Sequence, residues 1–133
     1  MTDFVIDTVA LIRYLEDSLP PAADEAFRSA ERRKNTLFLP EIAFGEFVYT
    51  ALRGRLNSPV PRELISEVLD HIEVASYLVL SQLTHRAWNV FLQLNMPELH
   101  DRMIAADAIC RDLTLISNDP SFSGIPFLKT LWK

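Results

Sequence analysis

Hydrophobic positions along the chain follow two rhythms: short unbroken apolar runs, and longer stretches where they recur every third or fourth residue. Phe4-Val5-Ile6 is a β-prone run that stops at Asp7. A helix is predicted from about Val9 to Glu16, with Ala10, Leu11, Tyr14 and Leu15 on one side, and Pro20-Pro21 ends it. A more polar helix follows from about Ala22 to Lys34, closing on Arg32, Arg33 and Lys34, cations suited to a helix C-terminus. Thr36 to Leu39 is the next strand, and Pro40 opens a helix running to about Leu56. Ser58-Pro59 and Pro61 begin another helix, up to Asp70, and Glu73 to Leu80 is predicted as a strand or extended segment. Thr84 to Leu94 is helical, with Ala87, Trp88, Phe91 and Leu92 as its apolar face. After the break at Asn95-Met96-Pro97, a helix spans Asp101 to Asp112, a strand Leu113 to Ile116, and an edge strand Pro126 to Leu128.

Strands alternate with helices, and the strands are continuously apolar rather than alternating. That pattern specifies an α/β fold, a three-layer α/β/α domain over residues 1–133 with a mainly parallel sheet covered on both faces. In such sheets ligands collect at the carboxyl ends of the strands, near a topological switch point.

Composition narrows the function. The chain has 133 residues, a length that suits one domain, and 49% of them are apolar, so disorder is excluded. The single cysteine, Cys110, has no partner for a disulfide, and MTDFVIDT lacks the basic lead of a secretory signal, so a cytoplasmic protein is expected. No run approaches the roughly 18 apolar residues of a membrane span. The three histidines and the cysteine show no zinc spacing, and His85 and His100 are too isolated to act as ligands. A net charge of −5 argues against a broad basic face for duplex DNA.

Four carboxylates stand out. Asp7 and Asp119 each follow an apolar strand, which puts both at the carboxyl edge of the sheet, although acids also start turns and helices for ordinary reasons. Asp101 opens a helix and aligns with Ile104, Ala105, Ala108 and Ile109, the apolar stripe, where a cap alone explains its position less well. Asp107, near Arg111 on the opposite side, is read as surface. Glu46 belongs to a helix apolar almost all round, which predicts burial, so it must reach solvent, pair with a cation such as Arg53, or bind a metal. Glu41, at the start of that helix, is an alternative acid. Convergence of the four would raise carboxyl pKa values by mutual repulsion, which a hard divalent cation relieves, and oxygen-only ligation points to Mg²⁺ or Mn²⁺. Setting these four aside leaves 14 acids against 13 bases, so most of the acidity would sit in one pocket.

Taken together, LHDRMIAADAICRDLTLISNDPSF (Leu99 to Phe122), VIDT (positions 5 to 8) and LPEIAFGEFVYTALRG resemble the PIN-domain ribonucleases, and more narrowly the VapC-like toxins of toxin–antitoxin pairs. The resemblance implies a Rossmann-type arrangement with Asp7, Glu46, Asp101 and Asp119 as metal-binding acids and Thr8 and Ser117 as supporting hydroxyls. It also implies Mg²⁺- or Mn²⁺-dependent hydrolysis of RNA phosphodiesters, a homodimer, and an antitoxin partner that blocks the acidic pocket. Arg102, where a small residue commonly follows the helix acid, and Asn118 depart from the pattern. Arg28, Arg32, Arg33, Lys34, Arg53, Arg55 and Arg62 are candidate phosphate contacts, with solvated surface the simpler reading for Arg28, Arg32 and Arg33. Trp88, Phe91 and Trp132 are candidate stacking residues, the first two better explained by core packing. Two other functions remain open: a non-catalytic PIN-like module that binds RNA or protein, and an aspartate-nucleophile phosphatase. The phosphatase wants a second acid two residues after Asp7, where Val9 stands.

Overall fold

The computed structural model describes residues 2–55 and 62–133. The strands β1 (Phe4–Ile6), β2 (Leu37–Pro40), β3 (Leu78–Ser81), β4 (Thr114–Ile116) and β5 (Thr130–Leu131) form one sheet in the order β3-β2-β1-β4-β5, every pairing parallel. Between them lie α1 (Thr8–Leu15), α2 (Pro21–Glu31), α3 (Glu41–Leu52), α4 (Arg62–Val74), α5 (His85–Gln93) and α6 (Leu99–Arg111). Helices cover both faces of the sheet, the three-layer α/β/α arrangement expected from the alternating pattern.

The central strands are unbroken apolar runs because both their faces are buried: Val5, Ile6, Leu37, Leu39, Leu115 and Ile116 are all fully shielded from water. Helices dock through stripes at helical spacing. In α2 the stripe is Ala23, Ala26, Phe27 and Ala30, and Phe27 stacks on Tyr14 of α1. The sheet reverses direction of growth at β1, whose neighbours are β2 on one side and β4 on the other. This switch point carries Asp7 immediately after β1 and Ser117 immediately after β4.

At the opposite, amino-terminal edge a polar chain ties the helices together. His71 of α4 bonds the Tyr77 hydroxyl (2.8 Å), Tyr77 bonds the Tyr14 hydroxyl (2.9 Å), Tyr14 bonds Glu31, and Glu31 pairs with Arg28 (3.2 Å).

Several element boundaries differ from expectation, and helix α2 ends at Glu31, short of Lys34, where Arg33 takes a positive φ of 63°. Helix α3 ends at Leu52 instead of continuing to about Leu56, because Arg53 caps it and Gly54 takes a positive φ of 68° that turns the chain away. The helix opening predicted at Ser58-Pro59 and Pro61 lies outside the described residues. Helix α4 continues to Val74, so strand β3 begins only at Leu78 instead of near Glu73. Its exposed residues Glu73 and Val74 complete a last turn whose buried contact is Ile72. The edge strand pairs through Thr130 and Leu131, not Pro126 to Leu128, where Phe127 takes a positive φ of 67° that interrupts extended backbone. Helix α3 is not apolar-buried all round: it hides the stripe Ala43, Phe47 and Ala51, while Tyr49 and Leu52 are exposed. Among the described residues no helix is long and apolar enough to cross a membrane.

Candidate functional site

Asp7 leaves β1 with an extended backbone and caps α1, its Oδ1 accepting from the Ala10 N–H at 2.9 Å. The ordinary capping role is therefore real, but capping acids are usually solvated and Asp7 is 4% exposed. Burial pushes its carboxyl up from 3.8 to about 6, against the pull of the Ser117 hydroxyl and the Ala10 N–H; the charges of Asp119 and Asp101 raise it further.

Asp119 follows β4 and caps the short 3₁₀ turn Pro120–Phe122, accepting from Ser121 N at 2.9 Å. Its own N–H donates to Ser117 Oγ at 3.0 Å, which holds the acid back over the strand end. Ser121 also donates its hydroxyl to Asp101 Oδ2 at 3.1 Å, so one serine joins the two acids. Asp101 lies in the first turn of α6, but it is not the cap. Glu98 is, accepting from the Asp101 N–H at 2.7 Å. The Asp101 carboxyl is raised by burial and by the charges of Glu98, Asp119 and Glu46, with Ser121 opposing.

Glu46 is held from two sides. Thr8 Oγ1 lies 3.0 Å from Glu46 Oε1 and 3.2 Å from the Ala43 carbonyl, its hydrogen shared between them. His100 Nδ1 lies 2.9 Å from Glu46 Oε2. The alternative pairing with Arg53 does not occur, because Arg53 donates to the Tyr49 hydroxyl at 2.6 Å and stacks over that ring. Glu41 is exposed on the first turn of α3.

Residues from α1, α3, α6 and the turn after β4 thus form a circuit through side-chain and backbone hydrogen bonds and the peptide link between His100 and Asp101: Thr8 to Glu46, Glu46 to His100, Asp101 to Ser121, Ser121 to Asp119, and Asp119 through Ser117 toward Asp7. As these side chains stand, the carboxylate oxygens face protein donors, and among the described residues no three His, Cys, Asp or Glu groups are close enough to grip one ion. The donor set nevertheless fits a hard cation. It is rich in carboxylate oxygen, and Asp7 and Asp101 have carboxyls raised by burial and by neighbouring acids, the strain that a divalent ion removes.

Two members of the circuit, His100 and Ser121, were not singled out from the sequence, although Ser121 carried a readable signal. His100 has no ligand spacing, and its position next to Asp101 was the only signal. Ser121 was legible as the third residue of an Asp-Pro-Ser turn, a sequence that bends the chain back on its own acid. Asp107, in turn, is not surface: it is 1% exposed, paired with Arg111 at 2.9 Å and within 3.4 Å of Ser81 Oγ. Burial raises its carboxyl, with Arg111 opposing. The reason is the placement of α6, which is covered by α5 on one side and by β1 and β4 on another, so Ile104 to Ala108 are all buried.

Several other candidates find structural uses. Arg28 pairs with Asp17, Asp24 and Glu31, and Arg32 with Glu25. Arg102 donates to the Phe91 and Met96 carbonyls and lies 4.5 Å over the Phe91 ring, so it braces the α5–α6 connection. Trp88, expected in the core, is 43% exposed and meets Phe91 edge-on. Trp132 lies under Arg13. Arg62 heads α4 and is exposed.

The profile of the PIN domain family matches residues 4–128. No curated protein matches the chain. Among solved structures it is similar to a chain of VapBC2 from Rickettsia felis bound to a promoter DNA fragment, with 19% identity, a TM-score of 0.74, and 99% of this chain and 100% of that one covered. It is also similar to a chain of DNA-bound VapBC from Salmonella typhimurium, at 22% identity and a TM-score of 0.71 over 98% of each chain. A chain of VapBC-5 from Mycobacterium tuberculosis, of the VapBC family of toxin–antitoxin systems, aligns over 100% of both at 17% identity and a TM-score of 0.62. Those likenesses concern the fold. The family match spans nearly the whole sequence, and the chain belongs to the PIN domain family.

Proposed function

We propose that this protein is a Mg²⁺- or Mn²⁺-dependent endoribonuclease, the toxin of a toxin–antitoxin pair, with Asp7, Glu46, Asp101 and Asp119 as its metal-binding and catalytic acids. The observation that carries this reading is the joining of Asp101 and Asp119 by Ser121 at the carboxyl edge of the switch point, beside the buried Asp7, where burial and the neighbouring acids raise the Asp7 and Asp101 carboxyls. When bound, the cation would acidify a water and screen the leaving oxygen of a phosphodiester. The chain's own part is to hold its oxygens ready. Thr8 and Ser117 orient Glu46 and Asp119, and Ser121 keeps Asp101 and Asp119 side by side. Asp7 itself is shielded from water.

RNA is the substrate this reading takes from the resemblance, with the cytoplasm as its place of action. Membership of the PIN family and likeness to chains of VapBC complexes support an antitoxin as partner. An arginine presented by the antitoxin would suit the acids through charge-assisted hydrogen bonds, and the homodimer is proposed on the same kinship. Labelled single-stranded RNA incubated with the protein and Mn²⁺ should be cut, EDTA should stop it, and Asp101→Asn should abolish it. RNA bound but left intact under all metal conditions would make the protein a binding module. Release of phosphate from a small phosphomonoester, without RNA cleavage, would make it a phosphatase.

A further inference from the structure

We infer that His100 is the positioning residue for Glu46: through its Nδ1 it fixes one carboxylate oxygen while Thr8 fixes the other, and this sets the strength with which the acid site takes a divalent cation. The inference rests on the proposed metal-dependent reading of the site. Glu46 Oε1 is met by Thr8 Oγ1 at 3.0 Å and Oε2 by His100 Nδ1 at 2.9 Å. The two anchors come from different helices, α1 and α6, and converge on a third, α3.

An ionised carboxylate only accepts hydrogen bonds, so the Nδ1 facing Glu46 carries the hydrogen. Glu98 Oε1 lies farther off at 3.5 Å, and Glu98 is already committed through its other oxygen to the Asp101 N–H. The nearer bond is therefore the one to Glu46. The Glu46 side chain is 32% exposed and is not boxed in by packing. A flexible glutamate in that position loses rotamer freedom when ordered, and prior anchoring removes that loss from the binding step. The histidine side chain, with only two rotatable bonds, suits this better than a lysine. Groups that orient a ligating carboxylate typically govern metal affinity by about 10- to 100-fold.

The test uses the full chain and Mn²⁺ alone, with free Mn²⁺ read by electron paramagnetic resonance and folding read by thermal melts. Asparagine places its amide nitrogen where Nδ1 stands, whereas glutamine places its amide nitrogen nearer the position of Nε2. H100A should weaken Mn²⁺ binding by about 10- to 100-fold, H100N should restore most of it, and H100Q should not. Wild-type affinity in H100A, or better rescue by H100Q than by H100N, overturns the inference while leaving the metal site standing. A wild-type protein that takes up no Mn²⁺ overturns both this inference and the reading beneath it. Should H100A melt early, the comparison of H100N with H100Q decides the same question.

Discussion

The Ser121 hydroxyl donates to Asp101 across 3.1 Å, linking the turn after the fourth strand to the first turn of the last helix. Twenty residues separate the two in sequence. The same serine gives its backbone N–H to Asp119, so Ser121→Ala removes one bond and spares the other. That substitution should weaken Mn²⁺ binding by about 10-fold and slow RNA cleavage, with the melting temperature unchanged. A Mn²⁺ titration superimposable on wild type would show that Ser121 serves only the turn.

Asp7 gives a pH-dependent prediction. Its folded-state carboxyl sits at about 6, above the ordinary 3.8, mainly because of burial. The folded protein therefore favours the protonated acid. The destabilisation from the charged form is absent below about pH 4, grows through the interval, and is complete above about pH 6. Asp7→Asn keeps an oxygen to cap α1 and removes the charge. Without added metal it should stabilise the fold by about 1–3 kcal/mol at pH 7 and by nothing near pH 4, while abolishing cleavage. Denaturant melts of both proteins at the two pH values check this, and an Asp7→Asn protein less stable at pH 7 would contradict it.

Asp107 should behave in the opposite way. It is buried against Arg111 and Ser81, away from the acid circuit, and Arg111 in turn covers the Phe38 ring at 4.4 Å. Asp107→Ala strands a guanidinium that is still 26% exposed, so the expected loss is about 1–3 kcal/mol, below that of a fully buried pair. Asp107→Asn, which still offers an acceptor, should lose less. RNA cleavage per folded molecule should match wild type in both. Lost cleavage with an intact melt would place Asp107 in the functional machinery.

The sheet was legible because parallel strands buried on both faces read as uninterrupted apolar runs, and Phe4-Val5-Ile6 and Leu115-Ile116 do so without ambiguity. The position of Asp7 followed from the same reading, since the residue after such a run stands at the carboxyl edge. The end of α4 was not legible. Val74, Tyr77, Val79 and Leu80 are β-prone whether or not the chain has left the helix, and packing of Ile72 decides the boundary. Asp107 was misread because a helical wheel assumes one buried face, whereas α6 is buried on opposite sides. The i,i+4 relation to Arg111 was visible; the burial was not. His100 stayed hidden because its partner, Glu46, is 54 residues away and nothing in either local pattern points to the other.

Diffraction from crystals soaked in Mn²⁺ and measured at the manganese absorption edge tests the central claim most directly. The account predicts an anomalous peak enclosed by oxygens of Asp7, Glu46, Asp101 and Asp119, with the four carboxylates drawn closer together than they now stand and Ser121 still bonded to Asp101. Saturating Mn²⁺ with no peak at these acids would contradict it.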